Sequence, residues 1–232
     1  MSDRTETSNE QSDRLVDVLE SLSQVAIDQR RINILLTRMV RDQGAQIDAL
    51  GSSGGTAGAG ARMVNDVTAF RGDRSLVDVV AEGDSDVCIM YAKDATPRTT
   101  RNQPVYEDVV IEIAAFLKER TEYAEKHGVN RDRIIIDPGM GAFVSGEPGP
   151  SLEILHRLRE FAALGYPVLV GASRKGFIGQ VLGTSVDERL EGSLACATIA
   201  AWNGARIIRA HDVRATVRSM RMVDAIAESV SH

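Results

Sequence analysis

Only two cysteines occur in 232 residues, with no Cys-x-x-Cys pair, and there are just four histidines. That removes a disulfide framework and leaves a zinc site little to be built from, so no metal ligand is assigned. Aromatic residues make up 4% of the chain, and 27 Lys and Arg are outnumbered by 33 Asp and Glu. A net charge of −6 lacks the basic footprint of a nucleic-acid binder. No apolar run approaches the ~20 residues of a membrane-spanning helix. The opening MSDRTETSNEQSDR has no apolar stretch of the kind a signal peptide carries. The expectation is a soluble, cytoplasmic protein with neither nucleic acid nor membrane as partner. Cys88 and Cys196 read as small buried hydrophobes, one in a strand and one in a helix.

What is present is enough apolar residue, 43%, to bury a real core. The chain changes character at 51–60, GSSGGTAGAG, which reads as a flexible linker. Before it, Leu15, Val18, Leu22, Val25, Ile32, Leu36 and Met39 follow three- and four-residue steps interrupted by Gln29. This predicts a long helix over 13–50, either coiled-coil-like or packed on the protein's own surface. The divisions are thus a helical segment 1–50, a Gly-rich linker 51–60 and a main domain 61–232.

The main domain alternates. Strands are predicted at Arg62–Val67, Val87–Tyr91, Arg133–Asp137, Pro167–Gly171 and Ala205–Ala210. Helices are predicted near Ser75–Ala81, Val105–Lys126, Ser151–Leu164, Glu188–Asn203 and Val213–Ser229. Gly128, Gly165 and Gly204 stand where a helix ends in a left-handed residue. The strands are continuous apolar runs, as when both faces are buried. The fold class is therefore α/β with a parallel sheet, open or closed into a barrel.

Each strand ends in a polar group: Asn65-Asp66, then Met90-Tyr91 with Lys93-Asp94, Asp137-Pro138-Gly139-Met140-Gly141, Ser173-Arg174-Lys175, and Arg209-Ala210-His211-Asp212. Asp66 and Asp212 would suit helix N-caps. Five strands loading the same end is the layout of a (β/α) barrel site. Asn65 and Asp137 can meet the donor and acceptor edge of a flat heterocycle. Lys175 can reach a ring carbonyl. Arg209 and His211, two residues apart on one strand, point the same way and can hold a phosphate or pyrophosphate.

Four motifs together resemble dihydropteroate synthases: Val64-Asn65-Asp66-Val67, Ile136-Asp137-Pro138-Gly139-Met140-Gly141, Gly171-Ala172-Ser173-Arg174-Lys175 and Arg209-Ala210-His211-Asp212-Val213. They come in that family's order and spacing, and the likeness runs from about 57 to 226. The resemblance implies a TIM-type barrel and transfer of a pterin methylene to the aniline nitrogen of p-aminobenzoate, with release of pyrophosphate. It implies that Asn65, Asp137 and Lys175 bind the pterin, with Met90 as a pocket wall. Ser173 and Arg174 would line the p-aminobenzoate side, and Arg209 with His211 the pyrophosphate side. Lys175, Arg209 and His211 would be the catalytic residues, and Mg²⁺ would enter through the substrate's pyrophosphate.

Two departures stand out. Most members carry Met-His-Met where this chain reads Met90-Tyr91-Ala92. They also carry three further βα units before the Asn-Asp-Val strand, which nothing in 1–56 matches. The expected architecture is thus an incomplete barrel of five βα units preceded by a long helix. Such a chain would act as a homodimer or with a complementing chain. The alternative is a non-catalytic or partner-dependent homologue that serves association.

Overall fold

The computed structural model describes residues 33–36, 63–96, 99 and 103–229. The linker at 51–60, and the predicted helix apart from 33–36, lie outside them. The described residues contain six strands: β1 Asn33–Leu36, β2 Met63–Asp66, β3 Asp86–Met90, β4 Ile134–Asp137, β5 Leu169–Val170 and β6 Ile207–Ala210. Seven α-helices separate or follow them: α1 Leu76–Glu82, α2 Val109–Lys126, α3 Pro148–His156, α4 Leu158–Ala162, α5 Gly176–Leu182, α6 Leu190–Trp202 and α7 Val213–Ser229.

All five expected strands form within two residues of their predicted ends. The sixth corrects the sequence reading. Asn33–Leu36 is a strand, not helix, and it pairs in parallel with β6 from Asn33 opposite Ile207 to Leu36 opposite Ala210. The physical reason is visible afterwards: Ile34, Leu35 and Leu36 are consecutive apolar residues, the pattern of a parallel strand covered on both faces rather than of an amphipathic helix. The partner that decides it lies near the far end of the chain. A second correction concerns the helix expected over 151–164. It begins at Pro148, with proline in its first turn, and breaks at Arg157 into α3 and α4.

All strand pairs are parallel. The β2-β3-β4 and β5-β6-β1 triplets are joined by a bridge between Ile136 and Val168, with Ile136 N–H donating to Pro167 C=O at 3.0 Å. The spatial order is therefore β2-β3-β4-β5-β6-β1, and among the described residues β2 and β1 each pair on one side only. Side chains alternate across this sheet with the period of two that a strand imposes. Val87, Ile89, Ile134, Ile136, Val168, Val170 and Ile208 face the helices in the larger core. Cys88, Ile135, Leu169 and Ile207, with Met63 beside them, form a small apolar layer on the other face.

Helix α2 illustrates how the outer layer is set. Asp108 accepts from Val110 N–H and Ile111 N–H, both at 2.9 Å, and Glu112 reaches back to Glu107 N–H at 2.8 Å. These cap donors that the first turn cannot satisfy within the helix. Ile113, Leu117, Thr121 and Ala124 then follow at helical spacing and are buried. Gly128, Gly165 and Gly204 end their helices with φ of +93°, +81° and +103°, as expected.

Candidate functional site

Two residues further along the strands, the inner apolar layer gives way to a second one: Asn65, Met90, Asp137, Gly171 and Arg209, from five strands. Pairing staggers Asn65 against this level, since it lies opposite Cys88 while Met90 lies opposite Asp137, and the Arg209 side chain reaches both Asn65 and Asp137. The strands' carboxyl ends thus converge on one polar face above an apolar floor.

Arg209 ties this layer together. Its Nη1 donates to Asn65 Oδ1 at 3.1 Å and its Nη2 to Asp137 Oδ2 at 3.3 Å. The space for that guanidinium comes from Gly171, where a β-carbon would lie 2.6 Å from Nη2 and 3.0 Å from Cζ. Glycine at the end of a strand is the signal for such close approach, and sequence reasoning had used Gly171 only as a strand end. Asp137 is 1% exposed, and its other oxygen, Oδ1, accepts from Gly139 N–H at 2.8 Å. Its carboxylate therefore faces a charge on one side and a backbone donor on the other.

Lys175 approaches from the loop after β5. Its Nζ donates to Met140 C=O at 2.8 Å and stands 5.0 Å from the centre of the Phe143 ring. Burial lowers its pKa from 10.5 to about 8, with Asp137 pulling the other way and Arg209 adding to the fall. Met90 is fully buried at the end of β3, within the same layer.

The third layer holds Ser173 and His211. Ser173 Oγ accepts from His211 N–H at 3.1 Å and lies 3.0 Å from His211 Nδ1. Desolvation, then the charge of Arg174, hold the His211 pKa below its ordinary value. The imidazole is therefore neutral near pH 7, and it can serve an anion as an N–H donor more than as a cation.

Arg174 is not aimed at this group. Its Nε and Nη2 form a two-pronged pair with Asp212 at 2.9 and 2.5 Å, and this pairing holds the Asp212 carboxyl below the ordinary carboxylate range. The Asp212 side chain is thus an ion-pair partner, not the helix cap expected of it. Only its backbone carbonyl engages α7, accepting from Thr216 N–H at 2.9 Å. Asp66 likewise caps a turn and not a helix: its oxygens accept from Thr68 N–H, Thr68 Oγ1 and Phe70 N–H, well before α1.

Tyr91 proves to be a wall residue. Its ring packs edge-on against Phe116 of α2 at 5.1 Å, and its hydroxyl meets that of Tyr106 at 3.1 Å. Tyr106 in turn donates to Val144 C=O at 2.9 Å. The Met90-Tyr91-Ala92 departure therefore braces the loop after β4 from outside. Removing the Tyr106 hydroxyl with Tyr106→Phe should cost about 0.5–1.5 kcal/mol of stability, read by urea unfolding. A change inside measurement error would mean the hydroxyl pair contributes nothing.

Asn65, Met90, Asp137, Gly171, Lys175 and Arg209 are thus brought together, Ser173 and His211 adjoin them, and Arg174 stands at the side. Among the described residues no group of three His, Cys, Asp or Glu side chains could hold a metal ion. No helix among them is long and apolar enough to cross a membrane.

A family model described as pterin binding enzyme matches residues 7–211. Its start lies well upstream of 57, where the likeness was expected to begin, and takes in β1, so part of 1–56 matches the family after all. Dihydropteroate synthase of Escherichia coli (strain K12) is 39% identical over 170 residues, covering 73% of this chain and 59% of that protein. The dihydropteroate synthase of Haemophilus influenzae is 39% identical over 173 residues, covering 75% and 62%. Among solved structures, dihydropteroate synthase from Stenotrophomonas maltophilia with active-site-bound imidazole is similar at a TM-score of 0.70 and 33% identity, over 75% of this chain and 64% of that one. Dihydropteroate synthase from Xanthomonas albilineans in complex with 7,8-dihydropteroate is similar at a TM-score of 0.65 and 37% identity, over 73% and 62%. The chain spans about three fifths of the length of these curated relatives.

Proposed function

This chain belongs to the pterin-binding enzyme family, whose fold is a TIM-type barrel of parallel βα units, and from that membership we propose that it carries a dihydropteroate synthase-type site. The reaction joins a pterin methylene carbon to the aniline nitrogen of p-aminobenzoate. The nitrogen lone pair forms the new C–N bond as the C–O bond to pyrophosphate breaks, the bonding electrons leave with pyrophosphate, and the nitrogen's proton passes to solvent. The observation that carries this reading is the Arg209 guanidinium bridging Asn65 and Asp137, because it sets two acceptors and a cation together at the strand ends.

Asn65 and Asp137 would take the N–H edge of the pterin, Lys175 its ring carbonyl, and Met90 its apolar face. The Asp137 carboxylate would also stabilise positive character on the reacting carbon. An arriving heterocycle competes with Arg209 for the same two acceptors. Arg209 would then turn to the departing diphosphate, beside the neutral His211 N–H. Ser173 and Arg174 would serve the p-aminobenzoate side. The donor set among the described residues does not fit a protein-held cation. Mg²⁺ would come as the substrate's own diphosphate chelate.

A second reading, a partner-dependent homologue acting as a homodimer or with a complementing chain, draws support from the single-sided pairing of β2 and β1 among the described residues. One assay separates the two. Coupled pyrophosphate release should be seen with the purified chain alone under the first reading. Release by the mixture beyond that of a full-length homologue assayed alone favours the second, and no release by the chain alone together with no such excess removes the transferase reading.

A further inference from the structure

Arg174 is one of three non-glycine residues with positive φ among the described residues, at +54°. A residue with a β-carbon disfavours that conformation, so its surroundings must hold it there. Both of its main-chain groups are held by the start of α6. Arg174 N–H donates to Ser193 Oγ at 2.9 Å, and Arg174 C=O accepts from Arg189 Nη1 at 3.0 Å. Ser193 Oγ closes the ring by donating to Arg189 C=O at 2.6 Å.

The arginine that completes this ring is placed at a cost. Arg189 forms no ion pair among the described residues, and its two acceptors are the carbonyls of Arg174 and Thr184. Its Nε is buried without a partner, as is Thr184 Oγ1 beside it. Buried orphaned donors are rare and call for a reason. The guanidinium also requires glycine at 179, where a β-carbon would lie 2.6 Å from its Cζ. Hydrogen-bond economy alone would not keep an arginine here.

We propose that Arg189, together with Ser193, is a positioning residue that locks the Arg174 backbone in its left-handed turn and so orients the Ser173-Arg174-Lys175 loop. With the turn locked, Ser173 faces His211, Arg174 reaches Asp212 and Lys175 reaches Met140. Relaxing φ at 174 would release Ser173 and Arg174, whereas Lys175 stays tied to the Met140 carbonyl. The part of the proposal that concerns substrate rests on the p-aminobenzoate role given to this loop above; the part that concerns the backbone does not.

The full chain would be compared with Arg189→Met, Arg189→Lys and Gly179→Ala. Gly179→Ala displaces the guanidinium without removing a polar group. Amide hydrogen exchange is expected to quicken about ten-fold at residues 173–176 in the Met and Ala variants, with partial rescue by lysine, while β5 and the body of α6 stay protected. Affinity for 4-aminobenzoate, measured with pyrophosphate present, should fall at least about five-fold, while that for free pterin changes by less than about two-fold. Unchanged exchange at Arg174, or quickened exchange throughout the domain, overturns the lock. Local quickening with equal loss of both ligands overturns the orienting role. Should the unaltered chain bind no 4-aminobenzoate, the substrate reading of the loop falls, and the exchange at Arg174 alone decides the lock.

Discussion

Lys175→Met is expected to yield a protein that melts higher near pH 7 and no longer binds pterin. Folding lowers the Lys175 pKa from 10.5 to about 8. Below pH 8 the native protein therefore carries a charge in surroundings that disfavour it, and the whole penalty is present. Between about 8 and 10.5 the native lysine is neutral while the unfolded one still holds its proton, so stability rises with pH across that window. Above 10.5 the penalty is gone. At 1.36 kcal/mol for each pH unit the penalty is at most about 3 kcal/mol. Losing the bond to the Met140 carbonyl offsets about 1 kcal/mol of the gain. Calorimetric melts of both proteins from pH 6 to 10 should show a stabilised variant at low pH and a gap that closes as the pH climbs. A variant that melts many degrees lower at pH 7 would mark Lys175 as structural. Destabilising charges of this kind are kept where function needs them.

The second large effect is expected for Asp137→Asn, which should weaken pterin binding by about 1.5–3 kcal/mol, the range for hydrogen bonds to a charged group. The substitution leaves an oxygen able to accept from Gly139 N–H, so the turn after β4 should survive. What is lost is the carboxylate charge facing Arg209 and the two-acceptor edge presented to the heterocycle. Titration calorimetry with a pterin ligand reads the change directly, and an affinity equal to that of the unaltered chain would take Asp137 out of the site. Melting temperature serves as the control. The variant should fold cooperatively, because the apolar layer beneath Asp137, from Cys88 to Ile207, is untouched.

Asn65, Asp137, Ser173, Lys175, Arg209 and His211 could be picked from the chain because each closes an apolar run, and a parallel strand must bring its carboxyl end to the shared rim. The period of two then assigns Arg209 and His211 to one side without any coordinates. The buried strand runs themselves, Val87–Met90 or Ile134–Ile136, were equally plain, since continuous apolar residues bounded by turns have few other solutions. Local spacing also placed the three glycines that end helices. All of this depends on neighbours within a few residues, which a sequence displays.

Other features were settled by residues distant in the chain. Asn33–Leu36 looked helical because Ile32 and Leu36 fit a four-residue step, yet the unpaired edge of β6 offered backbone partners that no local pattern records. Asp212 looked like a helix cap until Arg174, on a neighbouring strand's loop, claimed its carboxylate. Tyr91 stood out only as a departure from the family pattern until Phe116 and Tyr106 drew it to the outside. The sequence by itself determined the βα rhythm and which strand ends carry polar groups, because hydrophobic periodicity and turn chemistry are local. Only the tertiary structure decided that Arg209 bridges Asn65 and Asp137 over Gly171, and that Arg189 holds Arg174 in its turn. Those are choices among polar partners of similar strength, and proximity in the folded chain selects among them.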